Sequence, residues 1–195
     1  MLALLMIVGG VLLRLTPHIP NFAPIAATAL FGGAYLNKRF AIAVPLIAMA
    51  ISDYLLLYIH PFQSPYADFS HVYPITAMLS TTTPFIWGSF VISGLLGMWV
   101  KNHKKPVYIL GACLVGSIQF FLITNFAVWE GGMYARGLDG LMQSYIMGIP
   151  FFRWTVLGDL FYTGVFFGAY ELALMTAYRF KTQKSFVLDA EEEGH

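Results

Sequence analysis

Charge is what this sequence lacks most. Only 11% of its 195 residues are Asp, Glu, Lys or Arg, where soluble domains carry about 25%. So few charges cannot cover a water-facing surface, so the composition points to lipid over much of it. The net charge of +1 supplies no basic stripe and excludes nucleic acid as an expected partner. Cysteine is scarcer still. Cys113 stands alone, which excludes an intrachain disulfide and any multi-cysteine metal site. It reads as a small packing residue. Enzyme signatures are missing as well: the chain has no phosphate-binding loop, no His-x-x-x-His pair and no nucleophile elbow. His60 and His71 share a loop near Met78 and have metal-ligand chemistry, but histidines in a solvated loop ordinarily carry no metal.

What is present is apolar: 58% of the chain is hydrophobic and 16% aromatic. A membrane-crossing helix needs about 20 apolar residues, within a range of about 17–25. Phe40–Ile59, Thr82–Val100, Val107–Trp129 and Thr155–Tyr178 qualify or nearly do. Met1–Leu15 and Ala23–Leu36 are shorter and flank Thr16-Pro17-His18-Ile19-Pro20-Asn21, where proline forbids a continuous helix. These two form either a full hairpin or a re-entrant pair. Met1–Leu15 lacks the basic start and the small-residue cleavage site of a signal peptide, and is expected to be a retained helix.

The basic residues favour six spans with both ends in the cytoplasm. Lys38, Arg39, Lys101, Lys104, Lys105, Arg179, Lys181 and Lys184 then face inward, and only Arg14, Arg136 and Arg153 face outward. That is the positive-inside pattern. The outer connections become Thr16–Phe22, His60–Thr81 and Glu130–Trp154. Two of them are long, rich in aromatics and nearly free of lysine, whereas the inner ones are short and basic. This asymmetry suits a binding face outside, although aromatics at such positions also form the ordinary interfacial belt.

Ionisable residues at membrane depth are costly and mark either function or pairing. Here they are Arg14, Asp53, Glu130, Arg153, Asp159 and Glu171. On the expected spans all but Glu171 fall in the outer third, with Asn125 about one turn below the outer end of its helix. Two readings stand: an outward-open site, or two charge pairs, Arg14 with Asp53 and Arg153 with Asp159, that lock helix ends. Glycines recur at Gly9-Gly10, Gly32-Gly33, Gly94, Gly97, Gly116, Gly158, Gly164 and Gly168 and are expected to let helices approach closely.

Several stretches carry a resemblance. They are Arg14-Leu15-Thr16-Pro17-His18, Asn21-Phe22-Ala23-Pro24-Ile25-Ala26, Ala29-Leu30-Phe31-Gly32-Gly33-Ala34-Tyr35, Ser52-Asp53, Phe120 through Trp129, and Ile149-Pro150-Phe151-Phe152-Arg153 with Leu157-Gly158-Asp159. Together the chain resembles an uncharacterised family of six-helix membrane proteins related to the substrate-binding S components of energy-coupling-factor vitamin transporters. The resemblance implies a bacterial inner-membrane, multi-pass protein that takes a vitamin from outside on its outer loops and helix ends. S components couple to an ATPase module partly through Ala-x-x-x-Ala in the first helix. Here only Ala23 and Ala27 have that spacing, and they begin the second segment. This departure favours a solitary relative, similar to the small cobalamin transporter group of Gram-negative bacteria. In that group a loop cysteine before the fourth helix ligates cobalt and removes cyanide. At the corresponding place this chain has Ser80, a poor cobalt ligand beside a thiolate, so decyanation is not expected.

The expected architecture is therefore all-α: one six-helix transmembrane domain over residues 1–180, both ends inside, followed by a cytoplasmic tail over residues 181–195. The tail's end, Glu191-Glu192-Glu193-Gly194-His195, resembles the start of an expression tag. The expected activity is vitamin uptake without catalysis, with cobalamin as the transported ligand, no cofactor or metal of its own, and the bilayer as partner. The candidate ligand-binding residues are Arg14, Asn21, Asp68, His71, Tyr73, Ser80, Phe85, Asn125, Trp129, Tyr134, Arg153 and Asp159. The alternatives are an S component for another vitamin (a flavin, biotin or thiamin) working with an ATPase module, and a membrane enzyme using Asp53 and Asp159 as acid, base or metal ligands.

Overall fold

A computed structural model of the chain describes residues 2–17, 19–64 and 66–192. Within these the protein is all-helical, with six α-helices: α1 Leu2–Leu15, α2 Ile25–Tyr35, α3 Lys38–Leu55, α4 Thr83–Val100, α5 Pro106–Glu130 and α6 Leu138–Glu192. A short 3-10 turn, Ile75–Met78, interrupts the long α3–α4 connection. Three helices are long and apolar enough to cross a membrane: α4, α5 and the Leu138–Arg179 part of α6. α3 matches α4 in length but carries Lys38, Arg39 and Asp53. The outward face of α5 shows an uninterrupted apolar stripe, Leu110, Leu114, Ile118 and Leu122, each about half exposed. Its four-residue spacing is one side of a helix, and such a surface suits hydrocarbon rather than water.

The two short segments that flank the Thr16–Asn21 break form two short helices. At 1.5 Å per residue, α1 is about 21 Å long and α2 about 16 Å, against a hydrocarbon core of about 30 Å. α2 is nonetheless the centre of the bundle, for every residue from Ile25 to Ala34 except Ala26 is buried. Its run of Ala, Gly and Thr explains this place. Small side chains let several neighbours come to backbone distance at once. At the crossing with α4, a Cβ added at Gly33 would fall onto the backbone of Gly94 and Gly97, and one added at Gly97 would fall onto the carbonyl of Leu30. Pro45, inside α3, leaves the Ala41 carbonyl without its intrahelical donor. That carbonyl lies against Gly94 of α4, where a Cβ would come within 3.2 Å of it.

The main departure from the expected spans is α6. The segment expected as a long outer connection, Glu130–Trp154, is mostly helix: the loop covers only residues 131–137 and α6 continues through Pro150. The physical reason is a seam of inward-facing positions against α5. Ser144 Oγ donates to the Asn125 carbonyl (2.7 Å), Tyr145 Oη donates to the Leu122 carbonyl (3.0 Å), and the Phe152 and Phe121 rings lie 4.7 Å apart. A Cβ at Gly148 would collide with the Asn125 amide. These residues recur at three- and four-residue spacing, as one helix face requires.

Two clusters make up the core. One, toward the α1–α2 and α3–α4 connections, joins Val11, Leu15, Ile25, Ala48, Met49 and Phe90. The other, toward the lysine-rich connections, joins Leu30, Phe31, Ala34, Val100, Ala112, Cys113 and Phe167. Around the second, Tyr35 Oη donates to Glu171 (2.7 Å) and the Lys104 ammonium lies 4.6 Å from the Tyr35 ring centre. Glu171 thus belongs to the basic end of the bundle, as expected.

Candidate functional site

A partly open cavity of about 320 Å³ enters the bundle at the end opposite Lys38, Arg39, Lys101, Lys104 and Lys105. Helical periodicity selects its lining. α3 contributes Met49 and Asp53, with Leu56 just past its end, α4 contributes Thr83, Ile86, Trp87 and Phe90, and α6 contributes Thr155 and Asp159. Arg14 comes from the end of α1, Asn21 from the α1–α2 connection and Phe62 from the loop after α3. Asn21 has a left-handed backbone, φ 65°, which asparagine tolerates better than most residues. This conformation turns the chain from α1 into α2.

The cavity has three tiers. At the mouth, Arg14 Nη1 pairs with Asp53 Oδ1 (2.7 Å) and also donates to Ser52 Oγ. Trp87 Nε1 donates to the other oxygen of Asp53 (3.2 Å). Both carboxylate oxygens of Asp53 are thus bonded to donors, and Arg14 and Asp53 are each about one-fifth exposed. Below lies an aromatic sleeve in which the Phe90 and Phe120 ring centres are 5.4 Å apart. At the floor, Asp159 is 5% exposed and accepts a bond from Ser117 Oγ (2.7 Å). Beneath it a void of about 10 Å³ lies between Asp159, Ser93, Gly116, Cys113 and Thr163, where Thr163 Oγ1 is 3.5 Å from Cys113 Sγ.

Asp159 lies deeper than the expected spans put it. Its partner Ser117 is eleven residues from the start of α5, about 16 Å up a helix about 37 Å long. The carboxylate therefore sits near mid-bundle, because α6 begins at Leu138 and its upper turns occupy the outer level. The pairing of Arg153 with Asp159 does not form. Arg153 is exposed, with its guanidinium 5.1 Å from the Trp154 ring centre. Six residues along one helix put the two side chains on different faces. Among the described residues the ion pair is Arg14 with Asp53.

Of the twelve candidate residues, Arg14, Asn21 and Asp159 line the cavity. The others lie elsewhere. Asn125 packs against Gly148 at the α5–α6 contact and donates to the Phe121 carbonyl (2.8 Å). Ser80 stands before the first turn of α4, its amide bonded to Thr83 Oγ1 (2.9 Å) and its hydroxyl 2.9 Å from Thr82 Oγ1. Phe85 stacks toward Phe126, and Phe126 toward Trp129, whose indole donates to the Ala135 carbonyl (3.1 Å). Tyr134 is half-buried in the α5–α6 loop.

Asp68, His71 and Tyr73 form a separate knot in the α3–α4 connection. Tyr73 binds the end of α3 through Tyr54 and Tyr58, and the Tyr58 and Phe69 rings stack at 5.7 Å. Asp68 accepts the Ser70 amide (2.8 Å), and chiefly that bond, with help from the Ser70 hydroxyl, holds its carboxyl below the usual carboxylate range. Ser70 Oγ also lies 2.8 Å from His71 Nδ1. Among the described residues no three His, Cys, Asp or Glu side chains are placed to hold a metal ion.

Sequence reasoning missed Trp87, Phe90, Phe120, Phe62, Met49, Thr83 and Thr155. One signal was readable. Met49-Asp53-Leu56, Thr83-Trp87-Phe90 and Thr155-Asp159 each repeat at three or four residues, so each marks a single helix face.

Residues 1–183 match a family described only as a family of unknown function (DUF6580). No curated protein and no solved structure matches the chain.

Proposed function

We propose, for a chain that belongs to the DUF6580 family of unknown function, that it is a membrane protein that binds a vitamin-sized solute from the outer side and works in its uptake. In this reading the helices make six crossings with both ends inside. α1 and α2, each too short to span alone, act as one hairpin through their connection. The positive-inside distribution of Lys38, Arg39, Lys101, Lys104, Lys105 and Arg179 supports that orientation. The observation that carries the function is the cavity itself. All six helices and two connections line one concave site at the poorly charged end, and Arg14, Asn21, Asp53, Trp87 and Asp159 are among its polar groups. Concave, mostly apolar sites with a few convergent polar groups are what small-molecule binding requires.

The cavity's size bears on the ligand. At about 320 Å³ it lies at the lower end of the ~300–1,000 Å³ common for small-molecule sites. A corrinoid exceeds that space and would stand partly outside, over Phe62 and the α3–α4 connection. A smaller vitamin fits within. The chain is thus read as a solitary, S-component-like binding protein for a small vitamin, with cobalamin as the larger ligand to test beside it. Ser80, tied to Thr82 and Thr83, favours no cobalt chemistry. A membrane enzyme using Asp53 and Asp159 is a weaker reading, because Asp53 is held by Arg14 and Trp87 and Asp159 lies about two helical turns deeper.

Calorimetric titration of purified protein with thiamin, riboflavin, biotin, cobalamin and cobinamide tests the reading. Saturable heat from one of them is expected, and it should be lost in Trp87→Ala and Arg14→Ala. Silence from all five would sink the uptake reading. A growth-rescue assay in a strain deprived of other routes for the bound vitamin, with and without an ATPase module, then separates solitary from coupled transport.

A further inference from the structure

The charges lining the cavity do not cancel. Arg14 and Asp53 neutralise each other at the mouth, with both oxygens of Asp53 bonded. Asp159, 5% exposed, has Ser117 as its hydrogen-bond partner, and among the described residues no cation lies within ion-pair distance of it. A buried carboxylate without a counter-charge is expensive, and it either takes up a proton or attracts a cation.

The geometry above it distinguishes a bare ion from an organic one. Phe120 is three residues from Ser117 along α5, and Trp87 three residues from Phe90 along α4, so aromatic rings line about two helical turns, roughly 10 Å, above Asp159. An inorganic ion needs a tight cage of oxygen ligands. The space here is about 320 Å³ with aromatic walls, which suits a ring-sized body, and aromatic faces attract positive charge.

We infer that the solute is a small organic monocation, its positive charge held by Asp159 and its planar body in the sleeve of Trp87, Phe90 and Phe120. The inference rests on the solute-uptake reading and adds the sign of the charge. The Arg14–Asp53 pair, closed on itself, leaves the mouth neutral, so selection falls to the floor.

The test uses one ring at three charges: 1-methylnicotinamide as cation, nicotinamide as neutral and nicotinate as anion, titrated by calorimetry into the detergent-purified full chain. The cation should bind at least about tenfold more tightly than the other two. Asp159→Asn, which keeps an acceptor for Ser117, should erase that preference, and Asp159→Glu should retain part of it. Equal binding of nicotinamide, stronger binding of nicotinate, or a preference surviving in Asp159→Asn overturns the inference. Should Asp159→Asn fail to fold, the order of affinities in the unaltered protein still decides. Silence from all three nicotinic compounds also overturns it. If the vitamin series is silent as well, the uptake reading falls with it; if a neutral or anionic vitamin binds, only the charge assignment falls.

Discussion

At the scale of single residues, several of the few charges are set against a defined partner. Arg14 is the clearest case. It joins the end of α1 to Ser52 and Asp53 on α3. Replacing Arg14 with Leu should leave Asp53 with Trp87 alone and lower stability by about 1–3 kcal/mol, less than for a fully buried pair because both side chains are partly solvated. Thermal unfolding in detergent measures this, and Arg14→Lys should recover only part of the loss, since a point charge cannot serve two acceptors as the guanidinium fork does. Asp68 yields a pH prediction. Its carboxyl is held below the usual carboxylate range by the Ser70 amide and hydroxyl. A depressed carboxyl contributes to stability at pH values above its unfolded value and loses that contribution as pH falls through the folded one. The protection of the Ser70 amide, the slowing of its exchange relative to that of an unstructured peptide at the same pH, should therefore fall below about pH 4, and Asp68→Asn should flatten the dependence. Arg14 and Asp159 were legible as cavity candidates because ionisable groups at membrane depth are rare, and Asn21 because it lies in the connection between the two short segments. Arg153 was misplaced because its face depends on where α6 begins.

At the scale of elements, helix contacts rest on glycine where backbones meet. Gly33 and Gly97 have no room for a Cβ, whereas Gly88 and Gly111 have nothing within 4 Å of one. Gly97→Ala should lower stability by about 1–3 kcal/mol, as overpacking does. Gly111→Ala should be neutral or slightly stabilising, since alanine favours helix. Melting curves of the two variants check both, and equal losses at Gly97 and Gly111 would contradict the packing account. The glycine pattern announced close approach, but it did not tell which glycines pair. The upper turns of α6 were read as loop because Gly148 and Pro150 interrupt the local helix signal. Tertiary contact outweighs that signal: Ser144, Tyr145 and Phe152 each find a partner on α5.

At the scale of the whole molecule, orientation is the property that gives the cavity its meaning. The proposed topology, six crossings with both ends inside, would put the α3–α4 connection outside and the α4–α5 connection inside. Ser64→Cys should react with a membrane-impermeant maleimide in intact cells, and Asn102→Cys only after the membrane is opened. The native Cys113 is buried and should stay silent in both. Labelling of Asn102→Cys in intact cells would reverse the orientation and turn the cavity toward the cytoplasm.

The sequence by itself determined the class of the protein: scarce charge and long apolar runs leave an all-helical, membrane-suited chain as the economical solution, and the spread of lysine sets its expected orientation. It also exposed the polar residues worth asking about, since each is costly where it lies. Only the tertiary structure decided which of them meet. Depth and facing depend on where helices start and on which neighbour each face touches, and those are set by pairwise packing across the bundle. That packing carried Asp159 to mid-bundle, paired Arg14 with Asp53, left Arg153 on the surface, and brought Trp87 and Phe90 into the wall of the cavity.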